Sequence, residues 1–366
     1  MKIAILTQPL LANYGGVLQN CALQQVLTKL GHEPITLEKN PIQYISHFRL
    51  ILELPKRLFT KYILRKRKYI FSEQKKNKLV ENESRILLPF IKKHINRVFV
   101  NSYENIDYKQ YNAFVVGSDQ VWRLKYNGDN LYNMYLSFMP NKVKIKRIAY
   151  AASFGSSEWE YNDKQTSMCS KLIENFDAVS TREIDGVNLC SKYLGYNNAV
   201  YVLDPTLLLN KEKYLTLCKD IPTYDDNLLF AYILDINSET ASKLNDIANA
   251  KGLTLKLVSA HHNCTLSMEE WLAMFRDAKM VITDSFHGTV FSIIFNKEFY
   301  TLTNQSRGGS RFTSLLSQLS LSDRMFNTIS NISIIDNIDW SIVDKKLSIL
   351  KEQSLNFIKT NLSLHA

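Results

Sequence analysis

The chain has 366 residues, of which 45% are hydrophobic, with 45 Lys and Arg against 35 Asp and Glu. That length suggests two domains at roughly 100–200 residues each, and the ordinary apolar fraction excludes disordered, collagen-like and disulfide-scaffold classes. No apolar run reaches the ~18 residues of a membrane span, and five cysteines without a CxxC pair point to reduced structural thiols in a cytoplasmic setting.

Strand-length apolar runs alternate with amphipathic helical windows, the pattern of an α/β protein. Lys2–Thr7 reads as a buried first strand, because its apolar stretch is too short for a signal-peptide core. Gly16–Leu30 follows as a helix capped by Gly31, and Pro34–Glu38 as the next strand. From Arg49 to Arg97, fifteen Lys or Arg stand against four Glu, a surplus of eleven that leaves the rest of the chain near neutral. This stretch is expected as a basic helical insertion, about 43–97. Its apolar residues at helical spacing among cations suit an anionic membrane surface, a surface for an anionic substrate, or a solvated helical face. No nucleic-acid fold signature accompanies it, so no nucleic acid is expected.

Further strands are expected at Ala113–Val116, Arg147–Ser153, Ala178–Thr181 and Val200–Leu203, with helices at Asp163–Asn175 and Arg182–Tyr193. The pattern lapses between Leu209 and Asp226, which reads as a hinge. A second cycle then runs through a strand at Leu228–Asp235, a helix at Ser238–Ala250 and a strand at Leu253–Ser259. It continues with a helix at Ser267–Ala278, a strand at Lys279–Thr283, a helix at His287–Asn296, a strand at Phe299–Thr303 and a helix at Ser310–Leu319. The fold expected is α/β, with two doubly wound Rossmann-like domains, 1–210 and 222–338, facing a cleft. A final helix within 339–366 is expected to pack back across the hinge.

Only 12 glycines occur, so their positions carry information. Gly15-Gly16, Gly117, Gly155 and Gly288 fall at or just past predicted strand ends, the edge where open α/β sheets bind ligands and helix N-termini offer N–H groups to anions. Thr283-Asp284-Ser285-Phe286-His287-Gly288-Thr289 turns from a strand into a helix. Ser285, Gly288 and Thr289 there are donors suited to a phosphate or carboxylate, and His287 is suited to acid catalysis or an electrostatic clamp. A plain capping segment with Asp284 or Ser285 as N-cap is the competing reading.

Val116-Gly117-Ser118-Asp119-Gln120-Val121-Trp122 crowds polar groups onto one turn. Ser118, Asp119 and Gln120 suit sugar hydroxyls, Trp122 suits a sugar face and Asp119 a hydroxyl proton. The alternative is a capped helix with Trp122 in the core. Arg182 at a strand end suits a carboxylate or phosphate, as do Arg307 and Arg311 on a Gly-rich loop. Asn13, Tyr14, Gly15 and Gly16 open the first helix, and Ser153 ends a small-residue strand that allows close approach. GxGxxG, Walker-type, HExxH and GxSxG motifs are absent from the sequence, so neither a metal nor a resident cofactor is expected.

Taken in order, several segments resemble the polysaccharide pyruvyl transferase family. They are Asn13 to Gln19, Val116 to Trp122, Ala149 to Gly155, Thr181-Arg182-Glu183, Leu203-Asp204-Pro205-Thr206, Asp284 to Gly288 and Arg311 to Leu316, and they span roughly Lys2 to Arg324. The resemblance implies a glycosyltransferase-B-like fold, phosphoenolpyruvate as donor, and a ketal pyruvate on a cell-surface polysaccharide such as a capsule or exopolysaccharide. It puts the acceptor on the first domain, at Asn13 to Gly16, Ser118 to Gln120, Trp122 and Ser153. The donor falls on the second domain with Arg182, and His287 and Asp119 are the candidate acid and base. Some relatives carry Arg-Leu-His where this chain has Ser285-Phe286-His287, and Arg307 or Arg311 is the candidate replacement for that arginine. The acceptor is a saccharide, a polyprenyl-diphosphate-linked form being one option, which would bring the basic segment to the inner face of the plasma membrane. The rival readings are a nucleotide-sugar glycosyltransferase of the same fold and a non-catalytic anion- or nucleic-acid-binding protein.

Overall fold

The computed structural model describes residues 1–41, 47–63, 70–141, 143–259, 265–303, 308–332 and 337–363. Two parallel sheets are built from them. The first has seven strands, β1 (Lys2–Leu6), β2 (Glu33–Lys39), β3 (Arg97–Val100), β4 (Ala113–Val116), β5 (Lys146–Ala152), β6 (Ala178–Thr181) and β7 (Val200–Tyr201), in the order β3-β2-β1-β4-β5-β6-β7. The second has β8 (Leu228–Ile233), β9 (Thr254–Ser259), β10 (Met280–Thr283), β11 (Glu298–Leu302) and β12 (Met325–Phe326), in the order β12-β11-β10-β8-β9. Continuous apolar runs such as Ala113–Val116, Leu228–Ile233 and Met280–Thr283 are buried throughout, as strands covered on both faces require. Strand order reverses between β1 and β4 in one sheet and between β8 and β10 in the other, and such switch points open a crevice at the carboxyl ends of the strands.

Two short edge strands, β3 and β12, are absent from the sequence reading. Val98 and Phe99 of β3 are exposed, so it lacks the buried alternation that marks a strand, and β12 has only two residues. The helix expected from Arg182 begins at Ile184, with Glu183 at the N-cap, because the Arg182 side chain turns into the protein interior. The first helix, Tyr14–Lys29, starts earlier than Gly16 because the Asn13 side chain caps it by accepting from the Gly16 N–H. The basic insertion forms helices His47–Tyr62, Ser72–Ser84 and Leu88–His94 before entering β3.

One apolar core runs through both sheets, joining Ile3, Val17 and Leu23 to Phe230, Trp271 and Phe291. Tyr14 crosses between them: its ring stacks on Trp271 at 5.4 Å and its hydroxyl donates to the Leu266 carbonyl. The C-terminal helix Trp340–Asn361 lies against both halves, with Ser354 Oγ accepting from Leu203 N (2.9 Å) and Asp344 accepting from Asn296 Nδ2 (3.4 Å). Ser354→Ala therefore strands the buried Leu203 N–H. It is expected to cost about 1–3 kcal/mol in urea-unfolding measurements, with the circular-dichroism spectrum unchanged.

Candidate functional site

The site begins beneath the first sheet's carboxyl edge. After β4 the chain passes Gly117, whose φ of +120° is in the glycine region and where a Cβ would fall 2.2 Å from the Tyr150 carbonyl oxygen. Asp119 then takes a left-handed φ of +75°, a costly backbone for a non-glycine residue, held by a parallel bridge to Ala152. The side chain so aimed meets Arg182, which is fully buried: its Nη2 donates to Asp119 Oδ1 (2.8 Å) and its Nη1 to Asp204 Oδ2 (2.7 Å). Asp204 is also fully buried and accepts from Ser118 Oγ (3.2 Å), Thr206 N (3.0 Å) and Thr206 Oγ1 (2.7 Å).

Burial alone would raise both carboxyls. For Asp204 the neighbouring His287 and Arg182 outweigh it and hold the group well below the usual carboxylate range. For Asp119, the charges of Arg182 and then of His287 and Arg311 also outweigh burial and lower the carboxyl from its ordinary value.

The second sheet supplies the opposite wall. Past β10, Ser285 caps the helix Phe286–Ile294 by accepting from the Gly288 N–H (3.3 Å), and Gly288 lets that helix pack closely on Thr283. His287, in the first turn, reaches back to the first sheet, where its Nε2 lies 3.6 Å from Asp204 Oδ2. Gly15 makes room for it, since a Cβ there would lie 1.9 Å from His287 Nδ1. Phe286 carries two guanidinium groups over its ring, those of Arg182 (5.1 Å) and Arg311 (5.3 Å). Burial and the charge of Arg182 push the Arg311 guanidinium down to about 10. Above this cluster opens a cavity of about 600 Å³ between the two sheet edges, with Asp119, His287 and Arg311 in its wall. A cavity of this size accommodates a small anionic donor together with a sugar. It offers the Arg311 guanidinium, the His287 imidazole, the Asp284 carboxylate and a helix N-terminus from one sheet, and the Asp119 carboxylate from the other.

A family model for polysaccharide pyruvyl transferase matches residues 13–306. The chain belongs to the polysaccharide pyruvyl transferase family. No curated protein matches its sequence. Among solved structures, it resembles a putative UDP-N-acetylglucosamine 2-epimerase from Listeria monocytogenes, with a TM-score of 0.50 and 9% identity over 99% of this chain and 91% of the other. It also resembles a UDP-GlcNAc 2-epimerase from Neisseria meningitidis, with a TM-score of 0.46 and 9% identity over 97% and 94% of the two chains. The first likeness concerns the fold alone, which is glycosyltransferase-B-like.

In this pyruvyl transferase family member, the cavity wall brings together Asn13, Gly15, Asp119, Gln120, Ser285, His287 and Arg311. Other candidates lie elsewhere. Arg182 sits under the cavity with both terminal nitrogens committed to carboxylates, so it organises the floor and does not face a donor. Trp122 is turned into the core, stacked on Tyr135 at 4.9 Å with its indole N–H donating to the Met134 carbonyl, and it offers no face to a sugar. Tyr14 serves the contact between the halves, and Gly16 serves the cap of its own helix. Ser118 bonds Asp204 and the Ala151 carbonyl, and Ser153 accepts from the Gly155 N–H. Gly288 and Thr289 pack the helix against its sheet, Thr289 through a 2.8 Å hydrogen bond with Thr301. Arg307 lies outside the described residues.

Sequence reasoning gave no role to Asp204, whose Asp-Pro-Thr context reads as a turn cap, nor to Gln8, which lines the cavity and donates to the Gln120 carbonyl (2.9 Å). Because the folded-state pKa of Asp204 is depressed, its stabilisation is complete above the ordinary Asp value of about 4. It is lost as pH falls from there toward the folded-state value. Urea unfolding of the parent should therefore show stability falling as pH drops below about 4. Asp204→Asn should be less stable at pH 7 and show a flatter acid limb.

Proposed function

We propose that this chain transfers the pyruvyl unit of phosphoenolpyruvate to two hydroxyls of one sugar, forming a cyclic ketal and releasing inorganic phosphate. The acceptor is a saccharide of a cell-surface polysaccharide or its polyprenyl-diphosphate-linked precursor, met on the cytoplasmic side of the membrane. The observation that carries the reading is the pairing of His287 and Arg311, from the second sheet, with the Asp119 carboxylate of the first in one cavity.

Phosphoenolpyruvate has a carboxylate and a phosphate. Arg311 and the N-terminus of the helix Phe286–Ile294 suit such groups, through charge and through N–H groups that precede the helical ladder. Burial and the charge of Arg182 disfavour the cation at Arg311, and an anionic donor beside it would favour that cation. His287 protonates the methylene carbon, which makes C2 electrophilic. The first sugar hydroxyl adds there while hydrogen-bonded to Asp119, forming one C–O bond. The second hydroxyl forms the other as the C2–O bond to phosphate breaks. One hydroxyl proton replaces the proton drawn from His287 and the other leaves with phosphate. Asp119, held as a carboxylate by Arg182, orients the hydroxyl and takes its proton in passing. Closing the cavity limits attack by water.

Thermal unfolding with and without phosphoenolpyruvate tests this. Donor at 100 times its dissociation constant adds ~2.7 kcal/mol. The shift should be present in the parent and lost in His287→Ala and Arg311→Ala. Stabilisation by nucleotide sugars and none by phosphoenolpyruvate would transfer the reading to glycosyl transfer.

A further inference from the structure

The helix His47–Tyr62 is packed inside out. Ile51, Leu52, Leu58, Phe59 and Tyr62 fall on one stripe at helical spacing, continued by Ile63 just past the helix, and all are exposed, from 38% at Leu58 to 69% at Ile51. The residue on the buried side is a cation. Arg57, 3% exposed, pairs with Glu53 (2.6 Å) and with Glu73 of the next helix (2.7 Å), and donates to the Ile70 carbonyl (3.1 Å). These contacts fix the helix orientation, so the apolar stripe is held outward. Soluble proteins rarely leave such a contiguous patch uncovered.

We propose that this face docks on an anionic lipid surface. The charge selects that occupant. The stripe is embedded in the segment from Arg49 to Arg97 with its surplus of eleven positive charges, which repels a second copy of the same face and attracts acidic headgroups, each basic residue near the surface contributing about fivefold in partitioning. Among the described residues no helix is long and apolar enough to cross a membrane, so the element lies in the interface with its apolar side chains sunk below the headgroups. The same insertion reaches the cleft: Glu83, at the end of the helix Ser72–Ser84, contributes to the cavity wall. Docking through the stripe therefore brings the cavity mouth toward the lipid plane. Delivery of a lipid-anchored sugar to it rests on the transferase reading, whereas the docking itself does not.

The test is co-sedimentation of the full chain with phosphatidylcholine vesicles, with and without phosphatidylglycerol. Binding is expected only with the anionic lipid, and it should weaken as salt is raised. The triple variant Leu52→Ser, Phe59→Ser, Ile63→Ser should bind roughly tenfold or more weakly, and Lys56→Glu with Lys61→Glu should do likewise. All variants should keep the parent's circular-dichroism melt and its response to phosphoenolpyruvate, so that failure here is separable from failure of the donor assignment. No binding of the parent to anionic vesicles would overturn the proposal. So would full binding by the triple variant, or stripe-dependent self-association in the ultracentrifuge in place of vesicle binding.

Discussion

The site depends on one buried guanidinium. Arg182 is fully buried, and a cation in that position persists only when carboxylates and hydrogen bonds replace its hydration. Asp119 and Asp204 do so, and each then has a second consequence. Asp119 is drawn into a left-handed backbone that turns it to the cavity. Asp204 is left with an oxygen 3.6 Å from His287, a residue of the other sheet. One ion cluster thus sets the first sheet's carboxylate and meets the second sheet's histidine. Arg311 and His287 stand beside this cluster in the cavity wall.

The two halves approach closely because small residues stand where bulk would separate them. Gly15 admits the His287 ring, while Tyr14 beside it anchors the same helix to Trp271. A single core passes beneath this contact and the C-terminal helix straps its back. The cavity is therefore formed between two sheet edges held in register by packing.

Much of the frame was legible from the sequence. Strands such as Ala113–Val116 and Met280–Thr283 are apolar runs of strand length, and their carboxyl ends carry the polar turns that line the cavity. What sequence could not supply was direction. Arg182 follows a strand in the manner of a ligand-binding arginine, yet the carboxylates that draw it inward lie 63 and 22 residues away. Trp122 shares a turn with cavity residues but packs on Tyr135, a partner that no local pattern announces. Asp204 looks like a turn cap because it is one, accepting from Thr206 N, and its other oxygen makes the connection that matters. The basic insertion is the reverse case: its helical spacing was plain, but which face points outward is decided by Arg57 and Glu73.

Phosphoenolpyruvate is proposed to bind between the sheet edges, beside Arg311 and His287 and above the buried ion cluster. A crystal structure with phosphoenolpyruvate bound tests it most directly. Donor density is expected in the cavity, with its phosphate or carboxylate within hydrogen-bonding distance of Arg311, His287 beside the methylene carbon and Arg182 still paired to Asp119 and Asp204. Donor bound outside the cavity, or held by an Arg182 that has left both carboxylates, would contradict it.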